Sequence, residues 1–273
     1  MTNKKYKKGD IKLLNAWAIY DWANSAYPLV ISSAVFPIYY GALFFDDLYI
    51  ELLGFNFKNT ALISFLTAFA FVILSFITPL LSGIADYMGN KKTFLKIFCY
   101  VGSLSCIGLY WFDLTNIYLG LCFYFLALIS FWASLVFYNS YLPDIAHKDQ
   151  QDFISAKGYA LGYFGSVLLL IFDLAMVMYP ANFGISGENP ELIAMRYSFI
   201  SVGIWWLSFS QYTFYFLPDQ NEKKKIIKDV IWNGFRELNE VWKELKQTTI
   251  IKKYLIAFFI YSSALQTVLL IAA

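Results

Sequence analysis

The residues best placed to do chemistry in an apolar setting are Asp21, Asn24 and Ser25, followed by Pro28 and Ser32. They recur at i, i+3, i+4, i+7 and i+11, so a helix drawn through them has one polar face. A carboxylate inside a membrane helix costs roughly 2.5–3.5 kcal/mol near the bilayer centre, and such groups usually face a cavity or a partner. Asp21 can bind a solute amine or relay a proton. It can equally hydrogen-bond a neighbouring helix, or snorkel to water from about two turns inside its segment. Pro28 and Pro37 remove backbone donors and can kink the helix, which frees carbonyls for a solute or a water chain. Ser130, Ser134 and Tyr138 follow one another at four-residue spacing, and Ser262 and Gln266 have Ser263 and Thr267 beside them. Such groups suit a solute path, or ordinary interhelical contacts worth about 0.6 kcal/mol each. Asp173 is a second carboxylate in an apolar run; no motif surrounds it, and cavity-facing and structural roles both remain open.

The elements that must position these groups are membrane spans. Hydrophobic residues make up 59% of the 273 and charged residues 15%, against roughly 25% charged in soluble domains. Mean hydropathy is +0.54. About 20 apolar residues cross a bilayer as a helix. Runs of that length are expected at Leu14 to Phe44, Ala61 to Ala85, Thr93 to Phe112, Asn116 to Tyr138, Ala156 to Tyr179, Tyr197 to Leu217 and Tyr254 to Ala273. Nineteen of the 21 Lys and Arg fall in segments on one side of this layout, which the positive-inside rule makes cytoplasmic. Only Lys58 and Arg196 fall opposite, and the N-terminus is expected inside. Residues 1–13 are expected to form a basic tail, 14–217 a six-helix bundle, 218–253 a cytoplasmic amphipathic linker, either lying on the membrane face or solvated, and 254–273 the first helix of a truncated second bundle.

The remaining inventory narrows the chemistry. Cys99, Cys106 and Cys122 sit in apolar runs without metal-ligand spacing, and His147 is the only histidine. No zinc site, thiol nucleophile or serine–histidine pair can be assembled, so neither an enzyme nor a cofactor is expected, and nothing points to nucleic acid. Gly158, Gly162 and Gly165 suit close helix packing. Trp17, Trp111, Trp205 and Trp206, near expected span ends, read as an interfacial aromatic belt.

After the second run comes Gly83-Ile84-Ala85-Asp86-Tyr87-Met88-Gly89-Asn90-Lys91-Lys92. It resembles the signature loop of the major facilitator superfamily, G-x-x-x-D-x-x-G-x-[RK]-[RK], and lies in the same place between spans two and three. Tyr87 and Asn90 depart from the basic residues often found there. The stretch Tyr20-Asp21-Trp22-Ala23-Asn24-Ser25-Ala26-Tyr27 is similar to the opening helix of one branch of that superfamily, the autophagy-related vacuolar effluxers and their bacterial relatives. Tyr138 to Ala146 and Ser155 to Tyr163 extend the similarity, which runs from Asn15 to Ala273.

The resemblance implies an all-α polytopic fold of two six-helix bundles, of which this chain holds the first and one further helix. It implies a secondary transporter working by alternating access and moving a small solute, with amino acids as the candidate class. Asp21, Asn24, Ser25, Ser134, Tyr138 and Gln266 would line the substrate or proton pathway. Gly83, Asp86, Gly89, Lys91 and Lys92 would form the conformational-lock loop. Membrane lipids, a solute and a coupling proton are the expected partners, and transport would need the second bundle or a second copy. The expected location is a bacterial inner membrane. A lipid-moving protein and a seven-helix receptor are the rival readings. Against the receptor stand an inside N-terminus and the shallow position of Lys252 and Lys253 in the last span.

Overall fold

The computed structural model describes residues 6–45, 49–52, 54–88, 91–218, 243 and 248–271, without the side chains of 52, 79, 82–88 and 266–271. Helices dominate these residues, as long apolar runs require where the backbone must satisfy its own hydrogen bonds in lipid. The first span runs through α1 (Ile11–Asn24), a π-helical stretch (Tyr27–Val35) and α2 (Phe36–Leu43). There follow α3 (Asn59–Met88), α4 (Lys91–Gly108), α5 (Ile117–Ile145), α6 (Lys148–Met178), α7 (Pro190–Phe216) and α8 (Thr249–Ile271). A short antiparallel hairpin, β1 (Tyr49–Leu52) and β2 (Phe55–Lys58), joins the first two spans. It turns at Gly54, whose φ of 81° favours glycine.

Among the described residues, six segments are long and apolar enough to cross a membrane: Ile11–Leu43, Asn59–Thr78, Lys91–Trp111, Ile117–Ile145, Lys148–Met178 and Pro190–Phe216. The chain is an all-α polytopic membrane protein. The seventh expected span falls on α8, and the 218–253 linker lies outside the described residues except for Pro218, Lys243 and 248–253.

The two prolines expected to kink the first span bracket its irregular part. Pro28 opens the π-helical stretch and Pro37 lies in the first turn of α2. At the exit, the Phe36 N–H reaches back five residues to the Ile31 carbonyl, and Pro37 has no N–H to continue the ladder. Single π-helical turns within α-helices are uncommon and recur at functional sites.

Packing is built around this span. α1 lies against α5, α6 and α7, while α4 packs on α5 and α7, α3 on α5, and α6 on α7. The centre is aromatic: Trp17, Tyr20, Tyr27, Tyr138, Phe199 and Trp206 are buried. This corrects the aromatic-belt expectation for Trp17 and Trp206, which are 1% and 0% exposed; Trp111, at 53%, fits it. Trp17 is held inside because its indole N–H finds the Tyr138 carbonyl at 2.9 Å. Trp206 fills the space above Gly102, where an added Cβ would come within 2.5 Å of its ring. The outward faces of α3 and α8 carry exposed apolar side chains, among them Phe65, Phe69, Phe76 and Phe259.

The bundle is pinned at both ends. On the side of the N-terminal tail, the Lys8 ammonium donates to the Pro143 carbonyl at 2.6 Å and the Gly9 N–H to that of Ile145 at 2.7 Å. At the far side, Arg196 donates to the Tyr39 hydroxyl at 3.0 Å, and to the Phe112 carbonyl and Asp113 carboxylate at 3.2 Å each. Tyr39 in turn donates to the Phe112 carbonyl. Partial desolvation pushes the Asp113 carboxyl up, but hydrogen bonds from Thr115 and Asn116, together with the Arg196 charge, hold it below the usual carboxylate range.

Candidate functional site

The site forms where α1 lies on a glycine stripe of α6. A Cβ at Gly158 would stand 2.4 Å from Asp21 Oδ2, one at Gly162 2.5 Å from Ser25 Oγ, and one at Gly165 2.8 Å from the Trp22 ring. Glycine at these positions lets the helices approach until polar side chains of α1 lie against bare backbone of α6. From α5, the Tyr138 hydroxyl donates to Asp21 Oδ2 at 2.8 Å. Its ring is fixed by stacking on Trp17, with centroids 4.2 Å apart and planes 8° apart. Asp21 is half-buried and pairs with no cation among the described residues. A carboxyl so placed has lone pairs left for an ammonium group, or can hold a proton.

The expected pathway residues separate into two groups. Asp21, Ser25 and Tyr138 meet at the α1–α6 seam. Asn24 and Ser134 turn into the bundle interior, 1% and 0% exposed. Ser134 donates to the Phe131 carbonyl at 2.8 Å and faces the Tyr20 hydroxyl. A polar face spread over positions 21, 24 and 25 subtends about 100° on a helix, wide enough to divide between the seam and the core. Gln266 lies on α8 with its side chain outside the described residues.

In the lock loop, Gly83 and Asp86 lie on α3 without described side chains, and Gly89 lies outside the described residues. Lys91 and Lys92 are clear. Lys91 pairs with Asp144 Oδ2 at 3.0 Å, and Lys92 donates to the Leu217 carbonyl at 2.7 Å. These contacts bring the loop's cations to the C-terminal ends of α5 and α7, where free carbonyls and the helix dipole favour positive charge.

Asp173 is 0% exposed, enclosed at the contact of α6 and α7, and accepts from Ser201 Oγ at 2.7 Å. Its environment is that of an interhelical contact rather than an open cavity wall. A cavity of about 580 Å³ lies nearby, lined by Phe172, Met176, Phe183, Tyr197 and Ser201.

Sequence reasoning missed Lys157. Grouped by charge with the cytoplasmic cations, and one residue inside the expected Ala156–Tyr179 run, it lies nine residues beyond Lys148, the first residue of α6, beside Gly158 and so level with Asp21. Its ammonium reaches back to Asn15 Oδ1 at 2.6 Å. The available signal was the polar Lys148–Ser155 stretch, which continues the helical pattern ahead of the apolar run.

A family described as vacuole effluxer Atg22-like matches residues 10–273. The chain belongs to the Atg22-like family. The uncharacterized MFS-type transporter YxiO of Bacillus subtilis (strain 168) is 30% identical over 258 residues, covering 93% of this chain and 58% of the relative. Autophagy-related protein 22-2 of Neosartorya fischeri is 25% identical over 301 residues, covering 82% of this chain and 48% of the relative. An uncharacterized protein of Aquifex aeolicus (strain VF5) is 30% identical over 201 residues, covering 68% and 48%. This Atg22-like chain thus spans about half the length of these relatives. No solved structure matches it.

Proposed function

We propose that this Atg22-like chain is the N-terminal portion of a secondary active transporter that moves a small solute by alternating access. Amino acids are the candidate solute class, and a proton is the candidate coupling ion. Names of relatives that include an MFS-type transporter and autophagy-related proteins support the class. The observation that carries the site is the half-buried carboxyl of Asp21, set in a membrane span with the neutral Tyr138 hydroxyl as its only partner among the described residues. Intramembrane carboxylates in such settings mark solute or proton routes. A second bundle, or a second copy, would close the path opposite the α1–α6 seam and bring Gln266 of α8 toward it. Two bundles would then rock about a midplane site. The loop around Asp86, with Lys91 and Lys92, would stabilise one of the two states.

The charge distribution supports a cytoplasmic N-terminus with the 218–253 linker on the same side, and the bacterial relatives support an inner-membrane location. The experiment is solute flux by the complete protein in proteoliposomes under an imposed pH gradient. Asp21→Asn is expected to abolish the dependence of flux on the gradient. Gradient-driven flux by that variant at the wild-type rate would overturn proton coupling at Asp21.

A further inference from the structure

We propose that Lys157 is the cationic half of a dipolar solute site whose anionic half is Asp21; this rests on the reading of Asp21 as a solute contact. The two residues flank one seam. Gly158 abuts the Asp21 carboxylate, which sets the Lys157 backbone at the same level, about 13 Å of helix in from Lys148. From there the side chain runs back toward the N-terminal end of α1 and donates to Asn15 Oδ1 at 2.6 Å. Asn15 precedes Asp21 by six residues, so the ammonium lies about 9 Å from the carboxylate along the helix axis.

Among the described residues, neither charge is neutralised by a protein partner. Among these residues Asp21 accepts only from a neutral phenol and Lys157 donates only to a neutral amide. The described ion pairs join Lys91 to Asp144 and Arg196 to Asp113 instead. Both residues are half-buried, so each is partly desolvated and still reachable. An intramembrane anion, and a half-buried cation near the end of the same span, are costly to hold with neutral groups alone. A mobile solute with an ammonium at one end and a carboxylate at the other would satisfy both, its ammonium toward Asp21 and its carboxylate toward Lys157.

The spacing selects length. Charge-assisted contacts are about 2.8 Å long, so a solute lying between the two groups has its own charges between about 3.4 and 9 Å apart. One extended amino-acid residue spans at most about 3.6 Å and two about 7 Å. A zwitterion of dipeptide length falls well inside this window, whereas a single α-amino acid reaches only its lower edge, so within the amino-acid class the site favours the longer member.

The test is isothermal titration of the complete purified protein with glycylglycine, glycine, N-acetylglycylglycine and glycylglycine amide. Wild type is expected to bind glycylglycine at least tenfold tighter than the other three. Lys157→Gln should erase the preference for glycylglycine over its amide, and Lys157→Arg should keep it. Asp21→Asn should erase the preference over the N-acetyl form. Wild-type binding of glycylglycine no tighter than of glycine or either capped form would overturn the dipolar site, as would full discrimination by Lys157→Gln. If Lys157→Gln behaves as expected while Asp21→Asn changes nothing, the failure is that of Asp21 as a solute contact.

Discussion

Replacing Gly158 by alanine tests the seam with a single methyl group. That methyl would stand 2.4 Å from Asp21 Oδ2 and 3.2 Å from the Tyr138 hydroxyl. The carboxylate must retreat by about 1 Å to reach ordinary contact, which stretches its 2.8 Å bond to Tyr138 past hydrogen-bonding range. Losing a hydrogen bond to an ionised group costs about 1.5–3 kcal/mol, and to a neutral one about 1 kcal/mol. Because the displaced atoms are the end of a side chain, the backbone need not move, and about 2 kcal/mol is the expected loss, roughly 30-fold in the folding equilibrium. Reversible unfolding of the complete protein in mixed micelles measures it, with Gly41→Ala as control, since nothing lies within 4 Å of a Cβ there. Combining Gly158→Ala with Tyr138→Phe should cost little more than either alone, because both remove the same bond. If Gly158→Ala matches Gly41→Ala within about 0.5 kcal/mol, or the double variant is additive, the close seam is not what holds Asp21 in place.

Gly203→Ala should destabilise more than Gly158→Ala, because its methyl would meet the Ser103 backbone carbonyl at 2.6 Å rather than a movable side chain; the same unfolding assay ranks them. A double-mutant cycle of Lys91→Met and Asp144→Asn should return about 0.5–1 kcal/mol of coupling, given a pair with one half-exposed partner. Asp113 supplies a pH signature. Its folded carboxyl titrates below its unfolded value of about 4, so its stabilisation is complete above that value and lost as pH falls through the folded one. Thermal midpoints measured from pH 6 downward should fall less steeply in Asp113→Asn than in wild type.

The spans were legible because lipid demands long apolar runs, and Ile11–Leu43 and Lys91–Trp111 begin and end within three residues of expectation. The helices also continue through polar residues the apolar runs did not include. α5 extends to Ile145 and α6 starts at Lys148, where Gln150 Oε1 accepts from the His147 N–H at 3.0 Å. That extension places Lys157 about two and a half turns inside α6 rather than at the edge of its apolar run. At the site, the type of Asp21 and the spacing of Gly158, Gly162 and Gly165 were readable. Their contact was not, because it joins residues 137 positions apart, as Gly158 and Asp21 are. The division of Asn24 from Ser25 was equally hidden, since both fall on one broad polar face in the sequence. Arg196 looked like a stray far-side cation, and only the meeting of Tyr39, Phe112 and Asp113 explains its place.

Reactivity of the two intramembrane carboxyls toward a membrane-permeant carbodiimide tests the central claim without knowledge of the solute. Asp21 is half-buried beside its seam, and Asp173 is 0% exposed behind Ser201. Peptide mass spectrometry on the complete protein in native membranes should find Asp21 modified and Asp173 intact. Modification of Asp173 with Asp21 untouched would contradict the assignment of the path to the α1–α6 seam.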